Sequence, residues 1–375
     1  MDPLLSSHHL ARAIHLIARQ TSGSTVPGTN LTVEQYCNLV DATSPKPYDL
    51  PGYDPARDLC NPYRYIPSEA WGWISVALFG ITTILHLYQT IASRRWWLFN
   101  WVAGGFLETL GWVGRGIGHS DPYSRNAFII QICCLVIAPA FFSAAIYGLL
   151  GWAITALSPR HSLIKPHRYW MVFISGDIAS LVIQGIGGGV ASAGSNQNDP
   201  KKLKTGSNIM LAGIIIQLAV MIIFCGFALH FWYGFKRSNL RQYVKRTRGL
   251  EKIHYLGYGL VVGSAVIILR GIYRVVELAE GWRGHLMLHE FFFLLDMLPC
   301  IICLLTFNIV APLYTLPRGY PTANDLAQQA GEPLPYPPKE EDGEMKRDSG
   351  SDQGTRVGGT DDWKDDKGHK EKESE

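Results

Sequence analysis

Charge is what this sequence has least of where a soluble protein would need it. Charged residues make up 17% of the chain, against about a quarter in an average soluble domain. They gather at two polar ends and in short connecting segments. Between residues 71 and 314 the chain returns repeatedly to apolar runs of about 20 residues, enough to cross roughly 30 Å of hydrocarbon. That distribution excludes a pair of soluble domains. The sequence also lacks a G-x-x-x-x-G-K-[ST] loop, so ATP hydrolysis through that motif is excluded as an energy source. The first 20 residues lack the uninterrupted apolar core of a signal peptide. Their HHLARAIHLIAR, with Leu10, Ile14 and Ile17 at helical spacing, reads as a surface helix or an arm. Neither a Cys-a-a-X nor a KDEL-type ending closes the chain.

What is there is a set of seven apolar runs: 71–91, 96–117, 127–153, 168–190, 206–233, 254–276 and 290–314. They predict an all-α integral membrane protein, a bundle of seven transmembrane helices. Three regions follow: an N-terminal segment over 1–70, the transmembrane domain over 71–316, and a tail over 317–375. The tail holds 9 Lys/Arg and 15 Asp/Glu and almost no large apolar side chains, a composition that cannot bury a core and predicts disorder.

Orientation is read from Lys and Arg in the short loops. With the N-terminus outside, the inner loops hold twelve: Arg94, Arg95, Arg160, Lys165, Arg168 and seven between Lys236 and Lys252. The outer loops hold five, Arg125, Lys201, Lys202, Lys204 and Arg283. The expectation is N-out and C-in, with the basic loop after the fifth span lying against the anionic inner leaflet. Cys37 and Cys60 then fall outside, where disulfides persist, and they predict a bond tying the Pro- and Tyr-rich stretch between them. The other five cysteines lie in spans and read as buried thiols; the Cys300-x-x-Cys303 pair is read the same way. Asn30-Leu31-Thr32 is a glycosylation sequon usable in that topology.

The stretch 268–296 organises the rest. It is apolar enough for a bilayer yet carries Arg270, Arg274, Glu277, Glu290 and Asp296. The first three share one helix face at i, i+4 and i+7. A charge in hydrocarbon costs about 2.5–3.5 kcal/mol even on the lenient insertion scale, so these groups must find partners or a cavity. The second span offers Glu108 and Arg115, seven apart among glycines; the third Gln131 and the mid-helix Pro139; the fourth Asp177 and Gln184; the fifth Gln217. Pro139 must kink its helix or free a carbonyl. The glycine run 185–189 is open to two readings, helix packing or irregular backbone lining a cavity. At 1.5 Å per residue, seven of the eight charges fall in the outer half of the bilayer, with Arg270 and Glu108 placed to pair and Asp177 nearest the middle. Five carboxylates face three arginines, so at least one is protonated, hydrated or waiting for a cation. Asp177 is the expected one.

These residues form ordered motifs. They run Glu108-x-x-Gly111-Trp112-x-x-Arg115, then Gln131 with Ala138-Pro139 and Ala144-x-x-Tyr147. Asp177-x-x-Ser180-x-x-x-Gln184-x-x-Gly187-Gly188 and Gly213-x-x-x-Gln217 follow, before Arg270-x-x-Tyr273-Arg274-x-x-Glu277-x-x-x-Gly281 leads to Glu290 and Asp296. Together they resemble the fungal lipid-translocating exporter family, which includes aminocholesterol-resistance and sphingoid long-chain-base resistance proteins. Trp112 stands where that pattern has Tyr, Trp152 stands near a usual Arg, and Phe replaces Tyr between Glu290 and Asp296. The resemblance implies a multi-pass fungal membrane protein that moves, or confers resistance to, amphipathic compounds.

The expected function is therefore translocation of lipid-like amphiphiles, not enzymatic catalysis, at the plasma membrane. Membrane lipids and a small amphipathic substrate are the expected partners, with no nucleic acid and no cofactor. A seven-span receptor of lipid stress is the alternative, although no Asp-Arg-Tyr follows the third span and the last reads Asn308-x-x-x-Pro312-x-Tyr314. A lesser one is an intramembrane metal hydrolase using His285-x-x-x-His289-Glu290.

Overall fold

The computed structural model describes residues 33–42, 48, 55, 58, 60–63, 65–157, 162–163, 166–196, 199–238, 240, 244, 253–280, 294–310, 323–329 and 331. Among them every regular element is helical. Helix α1 is Val33–Asp41 and α2 Glu69–Ser93; a short 3-10 turn, Trp96–Leu98, leads into α3, Phe99–Ser120. Then come α4 Arg125–Leu157, α5 Pro166–Asn196, α6 Pro200–Arg237, α7 Ile253–Glu280, α8 Leu294–Ile309 and the short α9 Ala323–Gln329. Helices α2 to α8 correspond one for one to the seven apolar runs. By length and composition α2, α4, the 171–194 part of α5, α6 and α7 can each cross a bilayer. Helix α3 is diluted by Glu108, Arg115 and six glycines, and α8 is 16 residues long as described.

Local signals set the ends. Asp199 caps α6, its Oδ1 accepting from the Lys201 and Lys202 amides at 2.9 and 3.2 Å, with Pro200 at the first helical position. Arg94 closes α2 in the left-handed conformation, φ 52°.

Consecutive helices pack side by side from α2 to α8, and α8 returns to α2. Helix α4, apolar on every face, sits at the centre and also touches α7 and α6. Polarity is inverted relative to a soluble bundle. Along α2 the buried face is Gly72, Ser75, Phe79, Thr82, His86, Thr90 and Ser93, whereas Ile81, Ile84, Tyr88 and Ile91 point outward. That face is stitched to α8: Ser75 Oγ donates to Met297 Sδ at 2.8 Å, His86 Nε2 to the Leu304 carbonyl at 3.1 Å, and Gln89 Nε2 to the Asn308 carbonyl at 3.2 Å. In hydrocarbon, polar groups seek one another inside the protein, which is why the hydroxyls turn inward.

Helix α5 continues unbroken through the glycine run, which overturns the irregular-backbone reading, and within the run Gly187 makes the close packing contact. A Cβ on Gly187 would stand 2.5 Å from the Met210 amide, and one on Gly206 would stand 2.7 Å from the Gly187 carbonyl. Bare backbone lets α5 and α6 touch along most of their length. Gly185 and Gly189 face open space.

The described residues between Asp58 and Pro67 pack on one end of the bundle. Cys37 and Cys60 are disulfide-bonded. Asp58 accepts from the Cys60 amide at 2.9 Å and from the Tyr123 hydroxyl at 2.5 Å. Tyr63 packs edge-on against Phe128 at 5.0 Å, and His119 Nδ1 donates to the Pro67 carbonyl at 2.8 Å. Burial, and then the Asp58 carboxylate, pushes the Tyr36 phenol up to about 12.

Candidate functional site

Arg270 and Arg274 sit one turn apart on α7, and Asp296 of α8 answers both. Arg270 Nε stands 2.9 Å from Asp296 Oδ1, an ion pair whose N–H is not aligned for a hydrogen bond. Arg274 Nε donates to the same oxygen at 3.0 Å, and its Nη2 reaches Asp296 Oδ2. Its Nη1 donates to Glu277 Oε2 at 3.0 Å, and Tyr273 donates to Glu277 Oε1 at 3.1 Å. Asp296 thus clamps two guanidinium groups, an arrangement that offsets the loss of water around each charge.

A second contact explains why Arg270 can be buried. Pro139 interrupts α4 without an N–H to give, so the carbonyl four residues earlier, that of Leu135, has no helical donor. Arg270 Nη2 donates to it at 2.5 Å. The freed carbonyl of the sequence reading is therefore filled by a side chain from another helix.

Glu108 of α3 is 2% exposed and lies beside Arg270 and the Cys300 thiol, with no ion-pair partner within 4 Å among the described residues. Its Oε1 has no hydrogen-bond donor. The expected Glu108–Arg270 ion pair does not form: Arg270 pairs with Asp296 at 2.9 Å instead. Arg115 is fully buried against the rings of Tyr65, at 5.4 Å, and Trp112, at 5.7 Å, and acts on Asp296 through space. Gln131 is buried beside Gly114 at the α3–α4 contact. Glu290, Asn30, His285 and His289 lie outside the described residues.

On the other side of Arg270 and Arg274 a small cavity opens between α4, α5, α6 and α7, with a volume of about 40 Å³. Its polar wall is Ser143, Gln184, Gln217, Arg270 and Arg274; Pro139, Ile214 and Met221 supply apolar surface. Gln184 Nε2 donates to Gln217 Oε1 at 3.1 Å. The space suits a water or two, so a larger guest requires the helices around it to part.

Asp177 stands apart from the charged cluster. It is 3% exposed, and neither carboxylate oxygen has a hydrogen-bond donor or, among the described residues, a cation within 4 Å. Its polar neighbour is the Tyr147 hydroxyl, which also faces Ser143. Sequence reasoning passed over Tyr147 and Ser143 as site residues, although their signal was present: 139, 143 and 147 recur every four residues and share one face of α4.

Buried charge, a polar cavity between long apolar helices and a lipid-facing exterior define a multi-span helical membrane protein with an internal polar site. The chain matches the family described as RTA1 like protein over residues 101–318 and belongs to it. Among its relatives is the sphingoid long-chain base transporter RSB1 of Saccharomyces cerevisiae (strain YJM789), 29% identical over 302 residues, 72% of this chain and 78% of the relative. Protein RTA1 of S. cerevisiae (strain ATCC 204508 / S288c) is 31% identical over 302 residues, 73% of this chain and 92% of the relative. Protoporphyrin uptake protein 1 of the same strain is 26% identical over 285 residues, 66% of this chain and 90% of the relative. No solved structure matches the chain significantly.

Proposed function

We propose that this protein translocates lipid-like amphipathic compounds, such as sphingoid bases or sterol-like toxic amphiphiles, across the plasma membrane, and so contributes to resistance or lipid homeostasis. The observation that carries the reading is the cavity walled by Ser143, Gln184, Gln217, Arg270 and Arg274 inside a bundle whose outer faces are apolar. A headgroup can meet amide, hydroxyl and guanidinium groups there while its tail stays among lipid-facing residues such as Ile178, Val182 and Leu269. The named activities of the relatives, long-chain base transport and protoporphyrin uptake, support membrane transport as the general role. The N-terminus faces outside and the tail the cytoplasm, and the chain acts without catalysis.

Purified protein reconstituted in liposomes tests this. A fluorescent long-chain base loaded into the inner leaflet should reach an impermeant quencher faster than in protein-free liposomes. Replacing Gln184 and Gln217 together by Leu should remove the gain while the protein stays folded. Equal rates with and without wild-type protein would reject the reading.

A further inference from the structure

We propose that Asp177, with the rings of Tyr147, Phe173 and Phe224, forms an ammonium site that holds a proton when empty and releases it when a cationic headgroup binds. This inference rests on the translocation reading above and gives it a substrate charge and a driving ion. Three observations meet at one place. The first is the carboxylate itself, enclosed by protein with both oxygens lacking donors. An ionised carboxylate left so would keep the whole cost of leaving water, so the empty site holds a neutral carboxyl.

The second is the aromatic wall. Tyr147 lies 4.5 Å from Phe224 and 5.4 Å from Phe173, and Phe173 packs edge-on against Phe224 at 5.3 Å. Phe173 stands one turn before Asp177 on α5, so ring and carboxylate share a face. A carboxylate beside aromatic rings is the chemistry that holds an alkylammonium. Core packing alone accounts for the rings, but it does not account for an unpaired buried carboxylate beside Tyr147.

The third is a route. Ser143 forms part of the cavity wall, and the Tyr147 hydroxyl lies between Ser143 and Asp177, facing both without direct hydrogen-bonding geometry. A modest rotation of either hydroxyl, or a single water, completes a path from carboxyl to cavity. The polar group facing Asp177 is the Tyr147 hydroxyl of α4, with Ser143 of α4 and the Cys225 thiol of α6 on the other side of Tyr147. Among the described residues no cation comes within 4 Å of Asp177. Arg270 and Arg274 line the cavity at the far end of this route, where their charges are matched by Asp296 and Glu277.

The step balances. The Asp177 O–H bond breaks, its proton passes by Tyr147 and Ser143 to the cavity and out, and the ammonium takes its place as counter-charge. One proton leaves per ammonium bound, and no net charge is added to the site. A proton gradient acid on the receiving side can then drive the amphiphile as an antiport.

The experiment measures proton release and binding together on the full-length protein in weakly buffered detergent with a pH-indicating dye. The probes are an NBD-labelled long-chain base and its N-acetyl derivative, which has no charge. Wild-type protein should bind the base about tenfold more tightly than the derivative and release one proton per base bound, none for the derivative. Asp177→Asn should bind both probes alike, as weakly as the derivative, without proton release. If that variant does not fold, wild-type protein still decides: a hydrophobic carbodiimide should modify Asp177, and the base but not the derivative should block the modification. Binding of the base without proton release, or carbodiimide labelling that the base leaves unchanged, overturns the exchange even where liposome transport persists. Failure of wild-type protein to bind or move either probe removes the translocation reading as well.

Discussion

Arg270 occupies the Leu135 carbonyl, which Pro139 leaves without a donor from its own helix. The proline and the arginine are therefore two halves of one arrangement. Pro139→Ala should gain about 3 kcal/mol of helix propensity and weaken a charge-assisted bond of about 1.5–3 kcal/mol. The effects nearly cancel, so thermal stability in detergent should move by only a few degrees. Transport should fall, because Arg270 now shares its acceptor and α4 straightens beside the cavity. A large loss of thermal stability would refute this compensation.

Asp296 should be the charge the fold needs most. Asp296→Asn leaves two buried guanidinium groups without their common partner, and breaking buried pairs costs about 3–5 kcal/mol. Glu108→Gln removes a carboxylate with no close ion pair and should be much milder. Melting temperature and membrane abundance of the two variants, measured side by side, should rank them in that order.

The α5–α6 contact should tolerate no side chain at its closest points. Gly206→Val places atoms against Ala191 and the Gly187 carbonyl, so overpacking of at least about 1–3 kcal/mol is expected. Gly185→Ala faces open space and should be neutral or stabilise by about 0.5–1 kcal/mol. Thermal unfolding of both variants checks the contrast.

The membrane orientation is accessible in intact cells. External protease should remove an N-terminal tag and spare a C-terminal one, and Asn30→Gln should abolish a glycosidase-sensitive mobility shift. The opposite protection pattern would place the disulfide end of the bundle in the cytoplasm.

Much of this architecture was legible in the chain. The apolar runs marked all seven helices, because a bilayer demands a length that few other structures need. The i, i+4, i+7 spacing of Arg270, Arg274 and Glu277 placed them on one face, and Pro139 announced a free carbonyl. Partner choice was not legible. Whether Arg270 meets Glu108 or Asp296 turns on helix rotation and on an ångström or two of depth, and a rise of 1.5 Å per residue counted from uncertain ends cannot fix either. The Asp177–Tyr147–Ser143 line was hidden for a related reason: it joins two helices, and neither sequence alone names the other.

The glycine contact between α5 and α6 has a mechanical consequence. Only three residues separate the two helices, and their backbones touch through Gly187, Gly194, Gly206 and Gly213 almost to the tip. The hairpin therefore behaves as one stiff lever with its fulcrum near Gly213, where Gln184 and Gln217 flank the cavity. The arm from Gly213 to Pro200 is about 20 Å long, so a tilt of roughly 10° at the fulcrum swings the tip by about 3–4 Å. Spin labels at Lys201 or Lys204, paired with one at Tyr123, would read the opening of a water-sized cavity as a displacement large enough to measure.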